Sequence, residues 1–269
     1  MDTQKLPTYF ISHGGGPWPW LQDQRPHYRQ LEASLQDIPR QIGAAAKAVL
    51  MISAHWEDDD FAVMANAHPS MIYDYGGFPP HTYQIKYPAP GDPPLANAVY
   101  ELLTQAGFAS HLDAQRGFDH GMFAPMYAMY PKADMPLVQL SILRDYDPEI
   151  HFAAGRALAP LREQGVVIIG SGLSYHNLRA IFSHDPAAAT TSRQFDAWLQ
   201  DTLLRSTGKV RKQKLLGWEK APAAREAHPR EDHLIPLMVA AGAAEGDQAT
   251  RIYFENFMNS HVASSYRFG

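Results

Sequence analysis

The chain has 269 residues, 45% of them apolar and 19% charged, with a formal net charge of −5 and no cysteine. That balance belongs to a folded protein with a sizeable core. It excludes disulfides, thiolate metal sites and the clustered Lys and Arg of a nucleic-acid binder.

In chain order, residues 9–12 (YFIS), 48–54 (AVLMISA) and 61–65 predict strands rich in β-branched and aromatic residues. Residues 73–94 (YDYGGFPPHTYQIKYPAPGDPP) form a long Gly/Pro/aromatic segment. A loop that long in a compact domain is usually a lid or a pocket wall. A helix is predicted over 92–106, opened by Asp-Pro-Pro and closed at Gly107. Strands at 136–142 (PLVQLSI) and 166–170 (VVIIG) flank a second helix over 147–164, which Pro160 would kink near its end. A third helix is expected over 191–206, through Phe195, Trp198, Leu199 and Leu203, and a last strand over 252–255. Apolar runs such as VVIIG suit strands buried on both faces, and the strand–helix alternation predicts a layered α/β fold. No repeat or Gly/Ser linker divides the chain, so one domain over 1–269 is expected. The basic run at 209–214 (KVRKQK) reads as a solvated helix face. No stretch approaches the roughly 18–20 apolar residues needed to cross a bilayer, and the N-terminus lacks the pattern of a signal peptide. The expectation is a soluble, cytoplasmic protein with neither nucleic-acid nor membrane partners.

Thirteen histidines are scattered singly, and several fall at one kind of position. His13 follows the first predicted strand, in Ser12-His13-Gly14-Gly15-Gly16-Pro17. His55 follows the second, in Ser53-Ala54-His55-Trp56, and His176 comes shortly after VVIIG, in GSGLSYHN (170–177). Ligands of open α/β sheets bind beyond the carboxyl ends of the strands, so three histidines delivered there predict a converging site. The glycines after His13 let the backbone turn sharply and approach a ligand. His120, between Asp119 and Gly121, reads equally as a hydrogen-bonded loop residue or a catalytic one. Residues 228–237 (HPREDHLIPL) read as a polar helix start followed by an apolar run. His228 and His233 are five apart, so at most one of them faces a shared site, and acidic residues such as Glu231 and Asp232 are ordinary at a helix start. His27, His68, His81, His111, His151, His184 and His261 read as surface or structural, with His261 an outside candidate.

Neutral imidazoles suit zinc, iron, copper and nickel. His13 and His55 with one ligand from 231–233 supply the protein donors of a catalytic centre that keeps open positions. His176 and His120 would then orient substrate or move protons. With zinc such a site could activate water for hydrolysis. With iron(II) it could bind a catecholate and leave room for O2. Residue types leave the two open, although Trp18, Trp20, Trp56, Tyr75, Phe78 and Tyr175 around the motifs favour a flat aromatic substrate.

Taken in order, SHGGGP (12–17), SAHW (53–56), YDYGGFPPHTYQIKYPAP (73–90), FDHG (118–121) and GSGLSYHNLR (170–179) resemble the DOPA-dioxygenase branch of the LigB-type (class III) extradiol ring-cleaving dioxygenases. With 228–237 and SSYRF (264–268) the resemblance spans nearly the whole chain. It implies a three-layer α/β fold, a central mixed and mostly parallel sheet flanked by helices. It also implies a non-haem Fe(II) enzyme without an organic cofactor. The reaction implied is O2-dependent opening of a catechol-type ring, in DOPA, caffeate or a related diol, to a muconic semialdehyde. Residue by residue, His13 and His55 match the family's metal histidines and His233 the third ligand of this branch. His176 resembles the acid–base histidine and can double as a fourth metal ligand, and His120 resembles a group contacting substrate or oxygen. Better-known members of the superfamily carry a Glu where this chain has His233. Glu231 or Asp232 as the ligand is therefore an alternative, and zinc could occupy such a site in a purified sample. A zinc-dependent hydrolase or amidase on the same histidines, and a non-catalytic metal-binding relative, stand as the other readings. Arg179, Lys86 and Arg225 are candidates for a substrate carboxylate, and a homo-oligomer stays open beside the monomer.

Overall fold

A computed structural model describes residues 5–183, 186–257 and 261–269, and His184 lies outside them. The chain runs β1 (Thr8–Ser12), α1 (Arg29–Ile42), β2 (Ala48–Asp58), β3 (Phe61–Met64), α2 (Pro93–Gln105), β4 (Ser110–Asp113) and α3 (His120–Met129). It continues through β5 (Leu137–Leu143), α4 (Pro148–Leu158), β6 (Val166–Gly172), α5 (Leu178–Ser183), α6 (Pro186–Leu204) and α7 (Gly208–Leu216). It ends with α8 (Ala224–Ala227), α9 (Ile235–Ala243), β7 (Ala249–Phe257) and β8 (His261–Phe268).

The strands form one sheet in the order β4-β3-β5-β2-β6-β1-β8-β7. Its centre is parallel, since β2 pairs with β5 and β6, and β6 with β1. Antiparallel β8 and β7 extend one side, and β3 joins the other antiparallel to β5.

Because successive side chains of a strand point to opposite faces, each central strand feeds two cores. Phe10, Leu50, Ile52 and Ile168 pack on one face with α2, α4, α6 and α9. Tyr9, Ile11, Val49, Met51, Val167 and Ile169 pack on the other with α1 and α3. The result is the expected three-layer arrangement with a mixed sheet.

Asp-capped starts hold as the sequence suggests. The Asp92 carboxylate accepts the Leu95 N–H, and that of Asp147 accepts those of Glu149 and Ile150. The helix expected over 147–164 is α-helical only to Leu158. The chain then tightens to a 3-10 turn over Ala159–Gln164, where Pro160 removes a donor. The helix expected over 191–206 begins earlier, at Pro186. Among the described residues, no helix is long and apolar enough to cross a membrane.

Candidate metal centre

Three neighbouring strands end side by side. Ser12 of β1 pairs with Gly172 of β6, and Ser53 of β2 pairs with Ser171. His13 leaves β1 at that edge, its N–H donating to Gly172 O at 3.1 Å. The chain then turns at Gly14, whose φ of 82° is open to glycine, and the Trp18 indole N–H holds the turn on His13 O at 2.9 Å.

His55 lies inside β2 rather than beyond it, which corrects the shorter strand expected. The register of β2 against β5 shifts between Ile52 and Glu57. Such a bulge re-aims a side chain, and His55 sits within it.

His233 arrives from the segment before α9. Its carbonyl accepts the N–H of Leu173 at 3.0 Å. A Cβ on Gly172 would stand 2.1 Å from that same oxygen, so the approach needs glycine. His120 is the first residue of α3, which Asp119 caps through Met122 N, so it belongs to a helix rather than a loop.

These segments bring His13, His55 and His233 ring to ring. Nε2 of His55 is 3.3 Å from Nε2 of His13 and 3.3 Å from Nε2 of His233. Nitrogens bound at about 2.0–2.1 Å to one metal would be roughly 2.9–3.4 Å apart. Burial first, then neighbouring imidazoles, pushes His13 and His55 well below the usual histidine pKa. The same causes, burial leading, hold His233 at about 4. Neutral rings are what metal ligation requires.

A neutral imidazole carries one proton, and here the carboxylates sit on the Nδ1 side. Asp74 Oδ2 is 3.3 Å from Nδ1 of His55, and Asp232 Oδ1 is 3.1 Å from Nδ1 of His233. Protons at Nδ1 leave the Nε2 lone pairs of His55 and His233 facing one another. A divalent cation fits that donor set and resolves the juxtaposition.

His120 and His176 border the cluster. The His120 ring centre is 4.0 Å from that of His55, and its Nδ1 is 2.9 Å from Asp74 Oδ1. The His176 ring stacks on His233 at 3.4 Å, with Nδ1 3.6 Å from Asp232 Oδ1. The potential donor atoms of His13, His55 and His120 fall within 4.8 Å of one another, as do those of His176, Asp232 and His233.

Burial opposes ionisation of both carboxyls. Contacts with His120 outweigh it at Asp74, and those with His176 and His233 outweigh it at Asp232, so both lie below the ordinary carboxylate range.

The remaining candidates separate cleanly. Glu231 pairs with Arg225 at 2.6 Å, away from the Nε2 cluster, and Asp232 stands behind His233 rather than beside its Nε2. His228 is buried elsewhere, donating from Nε2 to Ser174 O at 3.1 Å among Phe195 and Trp218. His27, His68, His81 and His111 are exposed. His151 and His261 are buried, the latter against Tyr175. Arg179 and Lys86 are exposed, and Arg225 is held by Glu219 and Glu231.

Of the aromatics, Trp18 stacks on Tyr28, Trp20 packs on Tyr127, Trp56 lies under Arg116, and Tyr175 packs on His261. The Tyr75 ring lies 5.8 Å from that of His120, and Phe78 packs 5.4 Å from Tyr75, forming a wall beside the histidines. Asp74 carries no signal in the sequence. It lies in the segment read as a pocket wall, but a lone carboxylate between two tyrosines has no spacing that marks it.

A family model described as the catalytic LigB subunit of aromatic ring-opening dioxygenase matches residues 7–269. A 4,5-DOPA dioxygenase extradiol of Beta vulgaris is 40% identical over 265 residues, covering 97% of this chain and 96% of that protein. The protein of the same name from Escherichia coli K12 is 33% identical over 256 residues, 95% and 91% of the two chains. The dioxygenase tasH of Hapsidospora irregularis is 36% identical over 280 residues, 97% and 85% of the two. The crystal structure of an uncharacterized protein from Escherichia coli K12 superposes with a TM-score of 0.77 at 30% identity, covering 98% of this chain and 100% of that one. The chain therefore belongs to the LigB family of aromatic ring-opening dioxygenases, and it is an extradiol ring-cleavage enzyme.

Proposed function

We propose that the protein is a non-haem Fe(II) dioxygenase, one catalytic domain over residues 1–269, that opens a catechol-type ring to a muconic semialdehyde. DOPA, caffeate and related diols are the substrate class. The observation that carries the reading is His55 Nε2 at 3.3 Å from both His13 Nε2 and His233 Nε2, with carboxylates on the Nδ1 side of His55 and His233. Those three residues hold the metal in this reading. Bound there, ferrous iron supplies the redox-active centre that lets O2 react with a catecholate, which redox-inert zinc does not.

The other residues act on the substrate. His176, stacked on His233 with Nδ1 toward Asp232, takes the proton a catechol hydroxyl must lose and returns it as the ring opens. From the same position it can add a fourth nitrogen to the ligand set before substrate arrives. His120, at the start of α3, faces substrate or oxygen from the Asp74 side. Tyr75 and Phe78 offer an edge to a flat ring.

The test is O2 uptake by protein loaded anaerobically with Fe(II), offered a panel of catechols, with absorbance followed for a yellow product. Uptake matched by product and lost in His55→Ala is the expected result. No uptake across the panel, with iron verified in the protein, would sink the iron assignment and turn attention to zinc and to ester or amide substrates.

A further inference from the structure

Asp74 lies between a histidine of the metal cluster and a histidine beside it, with a separate oxygen toward each. Oδ2 lies 3.3 Å from Nδ1 of His55, and Oδ1 lies 2.9 Å from Nδ1 of His120. Oδ1 also accepts the backbone N–H of His120 at 2.9 Å. The side chain is only 19% exposed.

Bonds across the loop also set its place. The hydroxyl of Tyr73 donates to Ile85 O at 2.7 Å, and that of Tyr75 to Thr82 O at 2.6 Å. Thr82 Oγ1 in turn donates to Pro79 O at 2.8 Å. The residues on either side of Asp74 are therefore anchored across the loop. The buried Nδ1 of His120 lacks a hydrogen bond in good alignment, although the carboxylate is within reach.

We infer that Asp74 is a positioning residue that holds His55 and His120 together in the Nδ1–H tautomer. One carboxylate then fixes both the lone pair His55 offers to the metal and the one His120 offers to substrate or oxygen. The inference rests on the reading of His55 as a metal ligand.

Oδ1 of Asp74 accepts a backbone N–H and Oδ2 faces Nδ1 of His55, and a carboxylate is the side chain that offers an acceptor on both sides. An amide has one acceptor and one donor. In Asp74→Asn the amide oxygen is claimed by the His120 side, where the backbone N–H cannot change its role. The amide NH2 then points at His55, whose Nδ1 can answer it only as an acceptor. That places the His55 proton on Nε2, where it blocks the metal.

Asp232 differs in this respect. Its Oδ1 alone lies 3.1 Å from Nδ1 of His233 and 3.6 Å from Nδ1 of His176, and accepts His233 N at 2.8 Å. A single amide oxygen could serve there, so the demand for two acceptors is specific to Asp74.

The test is the imidazole tautomer in metal-free protein, read from long-range nitrogen–proton correlations of 15N-histidine-labelled samples. His55 and His120 are expected as Nδ1–H in the wild type. In Asp74→Asn, His55 is expected to move to Nε2–H while His120 stays. Zn(II) affinity from chelator competition should fall about 10–100-fold in the same variant. General damage to the fold would not move one tautomer and spare the other. An Nε2–H signal at His55 or His120 in wild-type protein overturns the inference, and that result needs no variant to fold. So does Asp74→Asn with both tautomers and the Zn(II) affinity unchanged. Neither readout uses catechol or O2, so a failure here is distinct from a failure of the Fe(II) reading, which shows as absent O2 uptake in the wild type.

Discussion

Gly121→Ala places one methyl group against the back of the candidate metal centre. A Cβ there would stand 2.8 Å from Ser53 Oγ, 2.9 Å from His55 Cδ2 and 3.2 Å from Asp119 Oδ1. Ordinary carbon contacts begin near 3.5 Å, so the neighbours must yield by roughly half an ångström. They are poorly placed to do so. Ser53 Oγ accepts His55 N at 3.2 Å and donates to Asp119 at 2.8 Å, and fully buried Asp119 is paired with Arg116 at 2.8 Å.

Overpacking of this kind costs about 1–3 kcal/mol, and it can relax in two ways. If α3 backs away, stretching the Ser171 Oγ bond to Gly121 O, the cost appears as lost folding stability. If His55 moves instead, it appears as weaker metal binding, tenfold for each ~1.4 kcal/mol. Urea unfolding of metal-free protein measures the first and chelator competition the second. Their losses should sum to about 1–3 kcal/mol. Wild-type values in both assays would refute the packing argument.

Other consequences are equally specific. Arg162 is 1% exposed and donates to Leu6 O, Ala243 O and the Asp247 carboxylate at 2.6–2.7 Å. Arg162→Met should lose about 3–5 kcal/mol of unfolding free energy, because buried acceptors are left unpaired, and a loss below about 1 kcal/mol would contradict this. His151 donates from Nδ1 to Asp147 O and accepts Leu143 N–H at Nε2. Burial, the leading cause, depresses its pKa to about 4. The unfolded chain, titrating near 6.5, binds the proton more readily, so His151 contributes stability above that pH that is lost as pH falls toward 4. The contribution is up to about 3 kcal/mol, and urea titrations of His151→Gln should show a flatter pH dependence, an unchanged slope counting against it. His176→Gln should keep its metal while turnover drops about 10²–10⁴-fold. Steady-state kinetics with metal analysis decides, and full turnover would remove His176 from proton transfer.

Much of this architecture is legible in the sequence where local signals are strong. His13 was visible because it follows a short apolar strand and opens a glycine turn. His176 was visible because it lies just beyond an apolar run buried on both faces. The local pattern puts His55 at a strand end, whereas its place in a bulge depends on pairing between β2 and β5 that no local pattern encodes. α3 (HGMFAPMYAM) and α9 (IPLMVAAGA) are almost wholly buried. They therefore lack the polar face that makes a helical period visible. α1 arose where no helix was expected, although Leu31, Leu35, Ile38 and Ile42 recur at helical spacing, with Pro39 in the last turn arguing against it. The role of Asp74 is out of reach for another reason. A carboxylate behind a histidine is defined by distance across the fold, 46 residues apart for Asp74 and His120.

The central claim is that one metal on His13, His55 and His233 carries ring opening. Its most direct test is an anaerobic titration of metal-free protein with Fe(II), with the initial rate of O2 uptake on a catechol measured at each addition. The rate should rise linearly to one equivalent per chain and then stay flat. His13→Ala, His55→Ala and His233→Ala should each abolish both uptake and tight binding. A rate that keeps rising to two equivalents, or full binding and uptake in any of the three variants, would contradict the account.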